Sequence, residues 1–142
     1  MQESLSITLK NDRIEIPRLA QIVMDFCKRN GLDSAIEADL NLALEEIVIN
    51  VIKHGYADRE EHEITVTFQL EPDALTVRVE DDGVPFNPLD APPANVSSPL
   101  ERRRAGGLGV YLVRNLMDEF EYQRTGTKNV FVMKKHRKDS DR

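Results

Sequence analysis

Glu46 and Asn50 stand four residues apart in the string EEIVINVIKHG. On a helix that spacing puts a carboxylate and a carboxamide one turn apart on the same side. A carboxylate so placed can take a proton from an attacking hydroxyl or water, and an amide oxygen is a hard ligand suited to Mg²⁺. His54 continues the row. Spacing alone is a weak signal, because Glu and Asn on a helix are most often simply solvated. Asp81-Asp82-Gly83 closes a run of apolar alternation, where Asp and Gly are ordinary turn residues. The functional alternative is that Asp81 accepts a hydrogen bond from an exocyclic amine such as that of adenine, with Gly83 letting a ligand approach the backbone. Gly106-Gly107-Leu108-Gly109 opens a helical pattern. Exposed N–H groups and the helix dipole favour phosphate there, and a flexible hinge is the competing reading. Arg102, Arg103 and Arg104, just upstream, can add phosphate contacts or edge a solvated loop.

Other chemistries lack their residues. There is no G-x-x-x-x-G-K-[ST] phosphate loop, and the glycines follow a long loop rather than a first strand, against a dinucleotide fingerprint. His54, His62 and His136 form no metal-binding spacing with Cys27, the one cysteine, which also excludes an intrachain disulfide. Met117 and Met133 fall on apolar faces and read as core.

The elements that must hold these groups follow from periodicity. Leu5, Ile7 and Leu9 alternate with polar residues as in a half-buried strand, and a short apolar piece, Ile14 to Ile16, precedes Pro17. Leu19, Ile22, Val23 and Phe26 recur at helical steps, which predicts a helix from Arg18 to Asn30, stopped by Gly31. Leu40, Ala43, Leu44, Ile47, Val48 and Val51 predict a longer helix from about Ser34 to His54, ended by Gly55, with Glu46 and Asn50 bordering its apolar stripe. Ile64, Val66 and Phe68, then Leu75, Val77 and Val79, predict a hairpin about Glu71-Pro72-Asp73-Ala74. Five of the seven prolines lie between Val84 and Arg104, a long loop covering a site rather than a linker. A helix carrying Val110, Leu112, Val113, Leu116 and Met117 follows. Two last strands, Glu119 to Arg124 and Asn129 to Lys134, flank the turn at Thr125–Lys128, and a basic end, Lys134 to Lys138, reads as solvated. Helices set among hairpin-linked strands point to an α+β two-layer sandwich.

At 142 residues, with 40% hydrophobic and 31% charged residues, the expectation is one domain over residues 1–142. A net charge of −6 argues against a general binder of nucleic acid or of anionic membranes. With neither a leader-like start nor an apolar run near the ~20 residues of a membrane span, the expectation is a cytoplasmic protein.

The order E-x-x-x-N, then D-x-G, then a long loop, then G-x-G opening a helix, resembles the GHKL superfamily of ATPases and kinases. Within it, EEIVINVIKHGY, DDGVPFNP and GGLGVYLVRNLMDEFEY resemble the bacterial anti-sigma-factor serine/threonine protein kinases. The resemblance covers nearly the whole chain and implies a Bergerat-type ATP-binding fold, a mixed and mostly antiparallel sheet covered on one face by about three helices. It implies ATP and Mg²⁺ as cofactors, Glu46 as general base, Asn50 as metal ligand and Asp81, with Gly83, as the adenine site. Gly106, Gly107, Leu108 and Gly109, with Arg104, would hold phosphates beneath a lid at about residues 84–105. His54-Gly55 reads as structural. Thr127 matches a threonine the family usually carries on a late strand. Pro85 stands where many members have a second glycine, which removes a donor and stiffens the start of the lid. The implied reaction is transfer of the γ-phosphoryl group to a Ser or Thr hydroxyl, with a STAS-type anti-anti-sigma protein as acceptor and a sigma factor as second partner. Kinases of this family are commonly homodimers. The alternative is a nucleotide-gated switch of the same fold that regulates a partner without phosphotransfer.

Overall fold

The computed structural model describes residues 3–90 and 113–137. Strand β1 (Glu3–Lys10) leads through a short 3-10 turn at Arg13–Glu15 into helix α1 (Ile16–Arg29), and helix α2 (Ser34–His54) follows. Strands β2 (Glu63–Leu70) and β3 (Ala74–Asp81) form the expected hairpin. A second 3-10 turn, Pro88–Asp90, a helical stretch at 113–116, and strands β4 (Glu119–Thr125) and β5 (Lys128–His136) complete the described elements.

The helix boundaries follow local chemistry. Pro17 lies in the first turn of α1, where its missing N–H costs nothing. Gly31, at φ 64°, reverses the chain after it. Asp33 caps α2 by accepting from the Ala35 N–H at 2.7 Å. The apolar piece Ile14–Ile16 is not extended: Asp12 caps it as a 3-10 turn, which leaves Ile14 exposed and feeds Ile16 into α1.

The sheet order is β1-β2-β3-β5-β4, and every pairing among the described residues is antiparallel. Its register aligns the apolar faces: Ile7 lies opposite Val66, Val66 opposite Val79, and Val79 opposite Phe131. This face packs on Leu19, Val23 and Phe26 of α1 and on Leu40, Leu44, Ile47, Val48 and Val51 of α2, forming one contiguous core. The Phe26 and Phe68 rings meet at 5.3 Å between centroids. Burial of these side chains is the main stabilising term, roughly 1.5–3 kcal/mol for each large apolar residue. The other face carries Thr65, Thr67, Thr76, Arg78 and Glu80, none of them fully buried. The two-layer α+β arrangement is the one the sequence pattern predicts. Among the described residues no helix is long and apolar enough to cross a membrane.

Two polar residues interrupt the core face. Asp81 ends β3 in the row of Val77 and Val79, and Asn129 sits beside it on β5 in the row of Phe131 and Met133. Both are buried, at 3% and 2% exposure.

Candidate functional site

Helix α2 delivers Glu46 and Asn50 to one cleft of about 440 Å³, lined also by Arg13, Ile16, Pro17, Ile49 and Lys53. Asn50 occupies a core position of the helix and is almost wholly buried. Its Nδ2 donates to the Pro88 carbonyl at 3.1 Å, so the amide is oriented and Oδ1 remains as its acceptor. Glu46, one turn earlier, is half-buried. Burial pushes its carboxyl above the ordinary range and the like charge of Glu45 adds to that, while Lys53 pulls it back. A carboxylate of raised proton affinity is a better base than a solvated one.

The D-x-G turn is built against the end of α2. Asp81 Oδ1 accepts from the Gly83 N–H at 2.8 Å and from Asn129 Nδ2 at 2.9 Å. Both described bonds fall on one oxygen, leaving Oδ2 as the acceptor for an incoming donor. Burial raises the Asp81 carboxyl's proton affinity, and those two bonds oppose the rise. Gly83 has a role that its spacing does not reveal. A Cβ there would lie 2.0 Å from the Gly55 carbonyl oxygen, and the next residue, Val84, donates to that oxygen at 2.8 Å. This role stands beside the ligand approach expected of Gly83. The geometry shows that it is needed for contact between the turn and the α2 terminus, tying the two motifs together. Gly55 is itself held close, since a Cβ on it would meet the Val51 carbonyl oxygen at 2.6 Å.

Asp82, the middle residue of the turn, faces outward to His62 at 3.1 Å, and the same imidazole meets Asp58 at 2.7 Å. The Asp58 hydrogen bond raises the proton affinity of His62, with burial opposing. His54 packs on Phe86, ring centroids 5.7 Å apart. Burial chiefly, and then Lys53, lower its pKa.

Asn129 is the site residue that sequence reasoning missed. Besides Asp81, its Nδ2 donates to the Val84 carbonyl at 2.7 Å, and its Oδ1 accepts from the Phe86 N–H at 3.1 Å and from the Tyr122 hydroxyl. Thr127 is exposed in the β4–β5 turn, and the place beside Asp81 belongs to Asn129. The physical reason is register: a two-residue turn, Gly126 at φ 62° and Thr127, ends before the ladder reaches Asp81. The signal was present as parity, because Asn129 shares the alternation of Phe131 and Met133. Arg124, on the neighbouring strand, donates to the Gly83 carbonyl at 2.8 Å and closes the turn from the other side.

Glu46, Asn50, Asp81 and Gly83 are thus joined through the contact of Gly83 with Gly55 at the end of α2. Gly106, Gly107, Leu108, Gly109 and Arg104, with residues 91–105 of the expected lid, lie outside the described residues.

A family profile described as the histidine kinase-like ATPase domain matches residues 9–135. The chain belongs to that family. Among curated relatives, it is 32% identical over 120 residues to a serine-protein kinase RsbW of Listeria innocua, covering 82% of this chain and 75% of the relative. It is 31% identical over 121 residues to a serine-protein kinase RsbW of Bacillus mycoides, with 82% and 74% covered. The fold is similar to a crystal structure of the RsbU and RsbW domains of a Mycobacterium tuberculosis protein, with a TM-score of 0.63 at 16% identity. That likeness covers 96% of this chain and 33% of the other, so the chain spans about a third of that structure. These findings bear out the resemblance drawn from the three motifs.

Proposed function

We propose that this protein is an ATP-dependent serine/threonine kinase that acts as an anti-sigma regulatory factor in the cytoplasm and phosphorylates a STAS-type anti-anti-sigma partner. The carrying observation is Glu46, a half-buried carboxylate of raised proton affinity one helical turn from the oriented amide of Asn50. Similarity to serine-protein kinases over 82% of the chain supports the same reading.

The donor set fits a nucleotide and its metal. Asn50 Oδ1, left as an acceptor by the bond from Nδ2 to Pro88, is the atom to hold Mg²⁺, a hard cation that takes oxygen ligands. Asp81 Oδ2 is the acceptor for an exocyclic amine. Bound ATP supplies the phosphoryl group, and its metal neutralises the charge that builds up during transfer. The family resemblance assigns the phosphates to Gly106, Gly107, Leu108 and Gly109 with Arg104. Glu46 accepts the proton of the partner's hydroxyl as that oxygen attacks the γ-phosphorus and ADP leaves, and its own partial burial keeps the carboxylate basic. Most of the rate enhancement then comes from positioning and charge neutralisation.

The test is incubation with labelled ATP, Mg²⁺ and a STAS partner. Label should appear on a Ser or Thr of the partner with the native chain and be absent with Glu46→Gln, which retains nucleotide binding. Nucleotide binding with no transfer by the native chain would replace the kinase with a nucleotide-gated switch, and no nucleotide binding would sink both.

A further inference from the structure

A polar residue in the core row of a sheet is explained by what it bonds, and Asn129 uses both donors and both acceptor positions of its amide. Its four partners are not scattered. One is the Asp81 carboxylate, and two are the Val84 carbonyl and the Phe86 N–H, which flank Pro85 on either side. The fourth, the Tyr122 hydroxyl, also receives the Phe86 N–H at 3.1 Å, so strands β4 and β5 grip the same backbone amide together. Proline has no N–H of its own, and this pair of flanking bonds fixes the segment that it interrupts. No other side chain of this reach carries two donors and two acceptors: threonine has one donor, and aspartate has none when ionised.

We propose that Asn129 is a positioning residue that couples base recognition to the root of the lid, clamping Asp81 through Oδ1 while pinning Val84 and Phe86. The inference rests on Asp81 being the acceptor for the exocyclic amine of adenine. Asn129 acts through Asp81 and does not itself contact the nucleotide. Together with the Gly83 N–H it occupies Oδ1 and confines recognition to Oδ2, and it is the one side chain among the described residues that holds that carboxylate by a hydrogen bond, so selectivity for an amine-bearing base depends on Asn129 as well as on Asp81. The same amide ties the backbone at 84 and 86 to the sheet, so Asp81 and the lid root are displaced together or not at all.

The readout is the ratio of affinities for ATP and inosine triphosphate, which lacks the exocyclic amine, by calorimetric titration of the whole chain. A merely structural residue would change stability without changing this ratio. The native chain should prefer ATP by about tenfold or more, the net worth of one hydrogen bond to a charged group. Asn129→Asp, which removes both donors, should bring the ratio close to one. Asn129→Thr, which keeps one donor and loses the grip on the lid root, should cut the ratio at least threefold, and it decides the matter where the aspartate variant does not fold. A native ratio preserved in a folded Asn129 variant, with only the melting temperature lowered, overturns the inference. Asp81→Asn separates the two readings: if the native chain shows no preference, or that variant leaves it intact, the assignment of Asp81 fails and this inference falls with it. Selectivity lost in Asp81→Asn but kept in Asn129→Thr sinks the role of Asn129 alone.

Discussion

Gly83→Ala is the sharpest test of how the site is assembled, because one methyl group addresses the contact between two motifs. The new Cβ would sit 2.0 Å from the Gly55 carbonyl oxygen, 2.9 Å from its carbon and 3.0 Å from Asp81 Oδ1. The first distance is roughly 1 Å inside van der Waals contact, and its partner is backbone at a helix end, which has no rotamer to change. The turn must therefore move away from α2. That movement gives up the bond from the Val84 N–H to the Gly55 oxygen and strains the Gly83 N–H bond that orients Asp81. Overpacking costs about 1–3 kcal/mol and a lost backbone hydrogen bond about 1 kcal/mol more, for a total of about 2–4 kcal/mol. In a domain of this size that is a fall in melting temperature of roughly 10 °C. Thermal unfolding measures the first effect and calorimetric titration with ATP the second, where a loss of at least tenfold in affinity is expected. An unchanged melting temperature would refute the packing account. A lowered melting temperature with native ATP affinity would show that the turn and the site are not joined as argued. Gly31→Ala is the matched control: its φ of 64° makes alanine strained, but nothing lies within 4 Å of the added Cβ, so stability should fall with ATP affinity unchanged.

The other predictions concern single atoms. Burial raises the Asp81 pKa above the ordinary carboxylate value of about 4, and its role requires an unprotonated Oδ2. ATP affinity should therefore fall as pH drops through that raised value, and Asp81→Asn should flatten the dependence; a flat native profile would count against the assignment. The linked stability effect has the opposite sign. With the folded pKa above the unfolded one, protonation favours the folded state, so Asp81's contribution is fullest below the unfolded value and is lost as pH rises through the folded value, as urea titrations at several pH values should show. Asn50→Ala strands the Pro88 carbonyl, at a cost of about 1–3 kcal/mol, and should abolish the Mg²⁺-dependent part of ATP affinity. Titrations with and without a chelator that give the same Mg²⁺ dependence as the native chain would remove Asn50 from the metal site.

Much of the fold was legible because its signals are local and redundant. The apolar stripe of α2, the Asp33 cap and the Gly55 stop all mark the same helix, so its predicted and observed spans coincide at Ser34–His54. The hairpin of β2 and β3 was equally plain, since Ile64, Val66 and Phe68 alternate to one face and Val77 and Val79 pair with that face. Ile14–Ile16 was harder, because three residues cannot show a period and the deciding group was the side chain of Asp12. Glu46, Asn50 and Asp81 could be picked out by spacing and order, while the proton affinity of Glu46 depends on burial, which spacing does not give.

By itself the sequence determined most of the described secondary structure, the family and the residue types of the motifs, because their signals are written in local pattern and in motif order. Tertiary structure decided what those residues meet. Gly83 is glycine because the turn rests on the carbonyl of Gly55, a residue 28 positions earlier in the chain. Asn129 rather than Thr127 stands beside Asp81 because ladder register, not proximity in sequence, chooses cross-strand neighbours. Both relations join residues far apart along the chain: packing of the β3 turn against the end of α2 makes the first, and pairing of β3 with β5 makes the second.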